Sequence, residues 1–134
     1  SNMRLCSNVL AQFAVEPALR NGSLSQQLTL PNGRLESQRN ITWDALNNIP
    51  GISCVKPGGT FYLFPRLDPK FYSIDDDENL ILDVLSSEKI LLVQGSAFNI
   101  PDNHHFRIVF LPSADQLSDA LVRIGGVLEK YHSL

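Results

Sequence analysis

A short apolar run, Phe106-Arg107-Ile108-Val109-Phe110, leads within a few residues into a long amphipathic helix pattern. Ser113 and Gln116 have the spacing of a capping box, and Leu117, Leu121, Ile124 and Leu128 recur along one helical face. A strand has an apolar face to bury and this helix has an apolar stripe, so packing helix onto sheet satisfies both. The rest of the chain can be read around that pair.

Upstream, Leu5, Val9, Leu10, Phe13 and Ala14 are spaced as in a helix. Pro17 lacks a backbone donor and is expected to kink or end it. Pro31-Asn32-Gly33 is a turn signal, after which Leu35, Ile41, Ala45 and Ile49 sketch the buried stripe of a second, longer helix stopped by Pro50-Gly51. The runs 52–56 and 60–66, joined by Pro57-Gly58-Gly59, read as a β-hairpin. Asp75-Asp76-Asp77-Glu78 opens a third helix carrying Leu80, Ile81, Val84 and Leu85. Ile90 to Val93 has the continuous apolar character of a strand buried on both faces. The predicted class is α+β, a small three- to four-stranded sheet with a hairpin, covered by helices.

Composition narrows the function classes. With 134 residues and 43% hydrophobic content the chain fits one folded domain and is not disordered. A net charge of −3 argues against nucleic acid, whose phosphates need concentrated Lys and Arg. No apolar run is long enough to span a bilayer, so no membrane partner is expected. Ser1-Asn2 ahead of Met3 reads as a scar of tag removal. Cys6 and Cys54 stand far apart with no CxxC pair, which fits reduced thiols in the cytoplasm and small buried hydrophobes better than nucleophiles.

Several motifs invite chemistry and fail on spacing. The acidic run from Asp75 places Leu80 where an EF-hand loop needs Gly, so its carboxylates read as complements to a helix N-terminus. His104 and His105 are neighbours on a strand and point to opposite faces, His132 lies in the terminal tail, and no metal site is expected. Ser86-Ser87-Glu88-Lys89 matches S-x-x-K without its companion motifs, and Lys89 stands where its charge suits a helix end. Pro57-Gly58-Gly59 is a turn, not a phosphate loop.

Arg107 is the exception. It lies mid-strand in an apolar segment, sharing a face with His105 and Val109 while Phe106, Ile108 and Phe110 face the other way. A guanidinium on a rigid strand can hold a carboxylate through two parallel hydrogen bonds. The alternative is a solvent-facing edge-strand Arg or a structural ion pair.

Four segments then carry a family resemblance: Ser53-Cys54-Val55-Lys56-Pro57; Gly59-Thr60-Phe61-Tyr62-Leu63-Phe64-Pro65; Leu91-Leu92-Val93-Gln94-Gly95-Ser96-Ala97-Phe98-Asn99; and His105-Phe106-Arg107-Ile108-Val109. In this order they resemble the C-terminal part of class I, fold type I pyridoxal-phosphate aminotransferases, nearest to the bacterial glutamate–pyruvate (alanine) transaminases. The resemblance runs from Met3 to about His132. It implies the aminotransferase small-domain architecture over residues 3–134, with a helical arm over about 3–20 and the large cofactor-binding domain absent.

It also implies that Arg107 grips the α-carboxylate of an amino-acid or 2-oxo-acid substrate, that Phe61 walls the pocket, and that the Gly95–Phe98 loop is structural. The family's cofactor lysine stands in an S-K-x(5)-G-x-R setting. None of Lys56, Lys70, Lys89 and Lys130 does, so no catalytic or cofactor-binding residue is assigned. Pyridoxal 5'-phosphate is therefore expected in the full-length enzyme and not on this segment, which should be inactive alone. Partners are the substrate carboxylate, the missing large domain and a second copy in a homodimer, docked through an apolar face around Leu5, Val9 and Phe13. The alternatives are a free-standing α+β binding or dimerisation module, and a fragment of an aspartate or aromatic transaminase.

Overall fold

A computed structural model describes residues 8–133, with the side chains of Leu24 and Ser25 set aside. Leu5 and Cys6 lie outside the described residues. The chain divides into two compact units, Ser1–Glu36 and Ser37–Leu134.

In the first unit, α1 (Val9–Arg20) is capped by the Asn8 side chain, which accepts a hydrogen bond from the Leu10 N–H at 3.0 Å. The helix does not end at Pro17. Proline removes one donor, the partner of the Phe13 carbonyl, and Asn21 closes the last turn by donating to the Pro17 carbonyl at 3.1 Å. After α2 (Ser23–Thr29) the Pro31-Asn32-Gly33 turn forms as expected, with Asn32 at φ 68°. A Cβ on Gly33 would stand 2.5 Å from the Gln27 carbonyl oxygen, so only glycine fits.

α3 (Arg34–Asn48) runs across the division into the second unit. Its fully buried residues are Gln38, Thr42 and Leu46, whereas Leu35, Ile41, Ala45 and Ile49 are half-buried. The expected stripe is therefore displaced, and two of its three central residues are polar. Their donors are met: Thr42 donates to the Gln38 carbonyl at 2.7 Å, and the Gln38 amide nitrogen donates to the carbonyls of Leu111 and Pro112, while the Gln38 Oε1 is buried without a partner. Burial of a polar group is tolerated where such partners exist.

The second unit holds the sheet. Strands β1 (Ile52–Ser53) and β3 (Arg66–Leu67) pair antiparallel, Ile52 opposite Leu67. β2 (Tyr62–Leu63) leaves them for a three-stranded antiparallel sheet of order β2-β5-β4, with β5 (Phe106–Val109) in the centre and β4 (Val93–Gln94) at the edge. The expected hairpin thus survives only at its base. Pro65 has no N–H to extend a ladder, so the second run splits there and its two halves pair with different strands.

The run Ile90–Val93 is corrected too. As part of an edge segment it buries Leu92 (4% exposed) and leaves Leu91 at 75%, so it is covered on one face only.

The helices cover the inner face as the pattern predicts. α4 (Asp77–Glu88) is capped by Asp76 and ends at Lys89, which adopts the left-handed conformation and donates its Nζ to the Ser86 carbonyl at 2.6 Å. α5 (Ala114–Leu128) begins at the complete Ser113–Gln116 capping box and buries Leu117, Leu121, Ile124 and Leu128. These pack with Leu80, Ile81 and Val84 of α4, Leu46 of α3, Leu63, Phe106 and Ile108 of the strands and Phe110 just after β5 in one core. The α+β class and the helix-on-sheet layering are as read from the sequence.

Candidate functional site

Alternation along β5 sorts its residues. Phe106 and Ile108 are buried against the helices, and Arg107 and Val109 stand half-buried on the outer face. Val93 lies opposite Arg107 on one neighbouring strand and Tyr62 opposite Val109 on the other. On that face Arg107 stands between Val93 and Val109 with Tyr62 beyond, and two residues along the strand His105 lies opposite the exposed Arg66. Two rings reach the Arg107 guanidinium: its Cζ is 4.5 Å from the Tyr62 ring centroid and 4.9 Å from that of Phe98.

No carboxylate among the described residues pairs with Arg107, so the structural ion pair is not formed. Its Nε is buried and has no hydrogen-bond partner. Burying an unmet donor costs about 1–3 kcal/mol, which a structural residue seldom sustains.

Phe61 precedes β2, and its carbonyl accepts from the Phe110 N–H at 3.1 Å, which fixes it beside β5. Its side chain is 45% exposed. The rings that touch Arg107 belong to its neighbour Tyr62 and to Phe98.

Phe98 ends a short 3-10 turn, Gly95–Phe98, that follows β4. The turn is fixed at two points. Gly95 approaches β5 so closely that a Cβ there would stand 2.8 Å from His105, and its N–H donates to the His105 carbonyl at 2.8 Å. Ser96 donates both its N–H and its hydroxyl to the Asp77 carboxylate, each at 2.8 Å. Asp77 is only 2% exposed, so this member of the acidic run is a buried acceptor and not just a dipole complement. Asp77 and Ser96 are nineteen residues apart, and no local spacing signals the link.

His105 shares Arg107's face. Its Nδ1 is 2.6 Å from an Asp102 oxygen, and its ring stacks on Phe64 with centroids 5.4 Å apart. Phe64 in turn meets Phe98 edge to face at 5.7 Å. Burial pulls the Asp102 carboxyl upward, but the His105 hydrogen bond, the His104 N–H and both imidazoles hold it below its ordinary value.

The remaining candidates are occupied otherwise. Cys54 is half-buried, and burial pushes its thiol up, away from the reactive thiolate. Ser86 and Ser87 each donate to the Asp83 carbonyl, at 3.2 and 2.7 Å, within their own helix. The His132 ring packs against Phe71 and Tyr72. Among the described residues no three His, Cys, Asp or Glu side chains cluster as metal ligands, and no helix is long and apolar enough to cross a membrane.

The family model for class I and II aminotransferases matches residues 2–124. The chain belongs to this family. Among aminotransferases, the alanine aminotransferase of Mycobacterium tuberculosis H37Rv is 54% identical over 131 residues, which is 98% of this chain and 30% of that protein. The glutamate–pyruvate aminotransferase of Escherichia coli K12 is 48% identical over 134 residues, all of this chain and 33% of that one. An aminotransferase structure from Escherichia coli superposes with a TM-score of 0.89 at 48% identity, covering 99% of this chain and 33% of that one. The chain therefore spans about a third of the length of the aminotransferases it matches.

Class I aminotransferases depend on pyridoxal phosphate, which needs a lysine to bind it covalently and an acid beside its ring nitrogen. The residues present do not fit that group. Lys56 lies 4.8 Å over the Trp43 ring, Lys89 closes its own helix, and Lys70 and Lys130 are exposed elsewhere. None stands on the sheet face that carries Arg107.

Proposed function

We propose that this chain is the small C-terminal domain of an aminotransferase that moves an amino group between alanine and 2-oxoglutarate, or between glutamate and pyruvate. Arg107 supplies the grip on the substrate α-carboxylate, and Phe61 forms part of the pocket wall. The observation that carries the reading is a half-buried guanidinium, held between rings and lacking a carboxylate partner among the described residues. With Nε covered, the carboxylate meets the two terminal nitrogens. A planar, permanently charged fork suits that ligand and fixes its orientation as well as its charge.

The remaining two-thirds of the enzyme would supply the lysine and the phosphate-binding groups, which fits the absence of a suitable lysine here. Closure of this domain over the substrate excludes water and strengthens the ion pair. The names of the relatives at 54% and 48% identity favour alanine and glutamate over aspartate or aromatic amino acids as donors. The family's dimers suggest that the whole protein pairs with a second copy, and the reading places it in the cytoplasm.

The test uses the full reading frame that contains this segment. An upstream S-K-x(5)-G-x-R motif is expected, and a stop codon immediately before Met3 would favour a free-standing module. In the full-length enzyme, Arg107→Lys should raise KM for alanine and glutamate about tenfold or more through loss of the two-point contact. An unchanged KM overturns the assignment of Arg107. The 134-residue chain with added pyridoxal phosphate should form no keto acid, and measurable turnover would overturn the division of labour.

A further inference from the structure

The groups around Arg107 form a chain of contacts leading back into the core. Tyr62 comes from β2 on one side of β5, and Phe98 from the turn that follows β4 on the other. Both rings lie within 5 Å of the same guanidinium carbon, at 4.5 and 4.9 Å. A guanidinium in water rotates among many orientations, and its long side chain carries substantial rotamer entropy. Two rings this close narrow those orientations, and the Nε beside them is buried.

We propose that Tyr62 and Phe98 are positioning residues for Arg107, holding its plane for a carboxylate, and that Asp77 sets Phe98 by bolting down its turn. The proposal rests on the reading of Arg107 as the carboxylate grip and adds what orients it. Phe98 is 42% exposed and sits on a four-residue turn, too short to hold a ring in place by itself. Two fixed points replace that missing rigidity: Gly95 packed on His105, and Ser96 bonded twice to a buried carboxylate. Phe64, stacked on His105, braces the Phe98 ring edge-on. Asp77 thus touches no ligand, yet it stands two hydrogen bonds and two residues from a ring on the guanidinium.

The 134-residue chain itself provides the first readout. In a nitrogen-15-labelled sample the Arg107 Nε–Hε resonance, identified by its loss in Arg107→Lys, should be shifted upfield by the rings and exchange slowly with water. Phe98→Leu and Tyr62→Leu should each move it toward the free-arginine position and speed exchange about fivefold. Phe98→Tyr and Tyr62→Phe keep a ring and should keep the signature, and Asp77→Asn should shift it in the direction of Phe98→Leu. Retained backbone amide dispersion shows that each variant folds.

In the full-length enzyme Phe98→Leu should raise KM for alanine about threefold to fivefold with kcat little changed. An Hε resonance indifferent to both leucine variants overturns the proposal. A KM raised by Arg107→Lys but not by Phe98→Leu also overturns it and leaves the carboxylate reading standing. A KM indifferent to Arg107→Lys defeats the carboxylate reading, while the resonance still reports whether the rings hold the side chain.

Discussion

At the scale of single residues, Tyr131 carries the largest displaced titration among the described residues. Burial, reinforced by a hydrogen bond to the Asp83 carboxylate at 2.5 Å, pushes its phenol up to about 12. A folded-state value above the unfolded one means that the contact's stabilisation is complete below about pH 10 and is lost as pH rises toward about 12. Absorbance at the tyrosinate band should therefore show one phenol ionising near 12, and Tyr131→Phe should remove that component. Persistence of the late component in Tyr131→Phe would refute the assignment. Tyr72, buried with its hydroxyl on the Pro50 carbonyl at 2.6 Å, is also raised, so the double variant Tyr72→Phe/Tyr131→Phe is the control.

Arg107 was legible at this scale because its charge interrupts an apolar strand and alternation fixes its face. Tyr62 could have been found from the same parity, since a strand beside β5 must place a ring near Arg107 on one face or the other. Phe98 could not. It reaches the guanidinium through a turn whose path depends on Gly95 and Asp77, and no local period encodes that.

At the scale of elements, α5 shows how a helix written completely in local chemistry behaves. Its start is fixed by Ser113, whose hydroxyl accepts from the Gln116 N–H, while the Gln116 side chain accepts from the Ser113 N–H at 3.1 Å. Replacing Ser113 with Ala removes the hydroxyl that accepts from the Gln116 N–H and leaves that donor unmet, while the backbone N–H at 113 can still reach the Gln116 side chain. Ser113→Ala should lower stability by about 1 kcal/mol, read as a drop in urea midpoint at unchanged slope. A midpoint that does not move would show the box to be dispensable.

The α3 stripe and the second strand run were read less well, and for one common reason. A local pattern assumes that apolar residues are the buried ones and that a run has one partner. Gln38 and Thr42 are buried because distant carbonyls, of Leu111 and Pro112, and a helix carbonyl receive their donors. Pro65 hands half of its run to β5, a strand far along the chain. Both outcomes were set by partners that sequence spacing does not reveal.

At the scale of the whole molecule, α1 poses the outstanding physical question. Among the described residues it buries none, and Val9, Leu10, Phe13 and Leu19 are between 64% and 79% exposed. A twelve-residue helix with an internal proline is marginal in water without a surface to pack on. An aminotransferase segment that spans about a third of its relatives would find that surface in the rest of the enzyme. Alone at high concentration, it has only other copies of itself. The 134-residue chain should therefore self-associate, with its sedimentation coefficient rising with concentration and its helix signal rising in parallel. Leu10→Lys and Phe13→Asp place charge on the exposed apolar side chains and should shift the equilibrium to monomer with less helix. The core helices are untouched by these changes, so the stability of the remaining structure, read from its urea midpoint, should stay within about 0.5 kcal/mol of the parent. A strict monomer with full helix content at every concentration would mean that α1 stands without a partner, against the nucleation cost that makes such helices marginal.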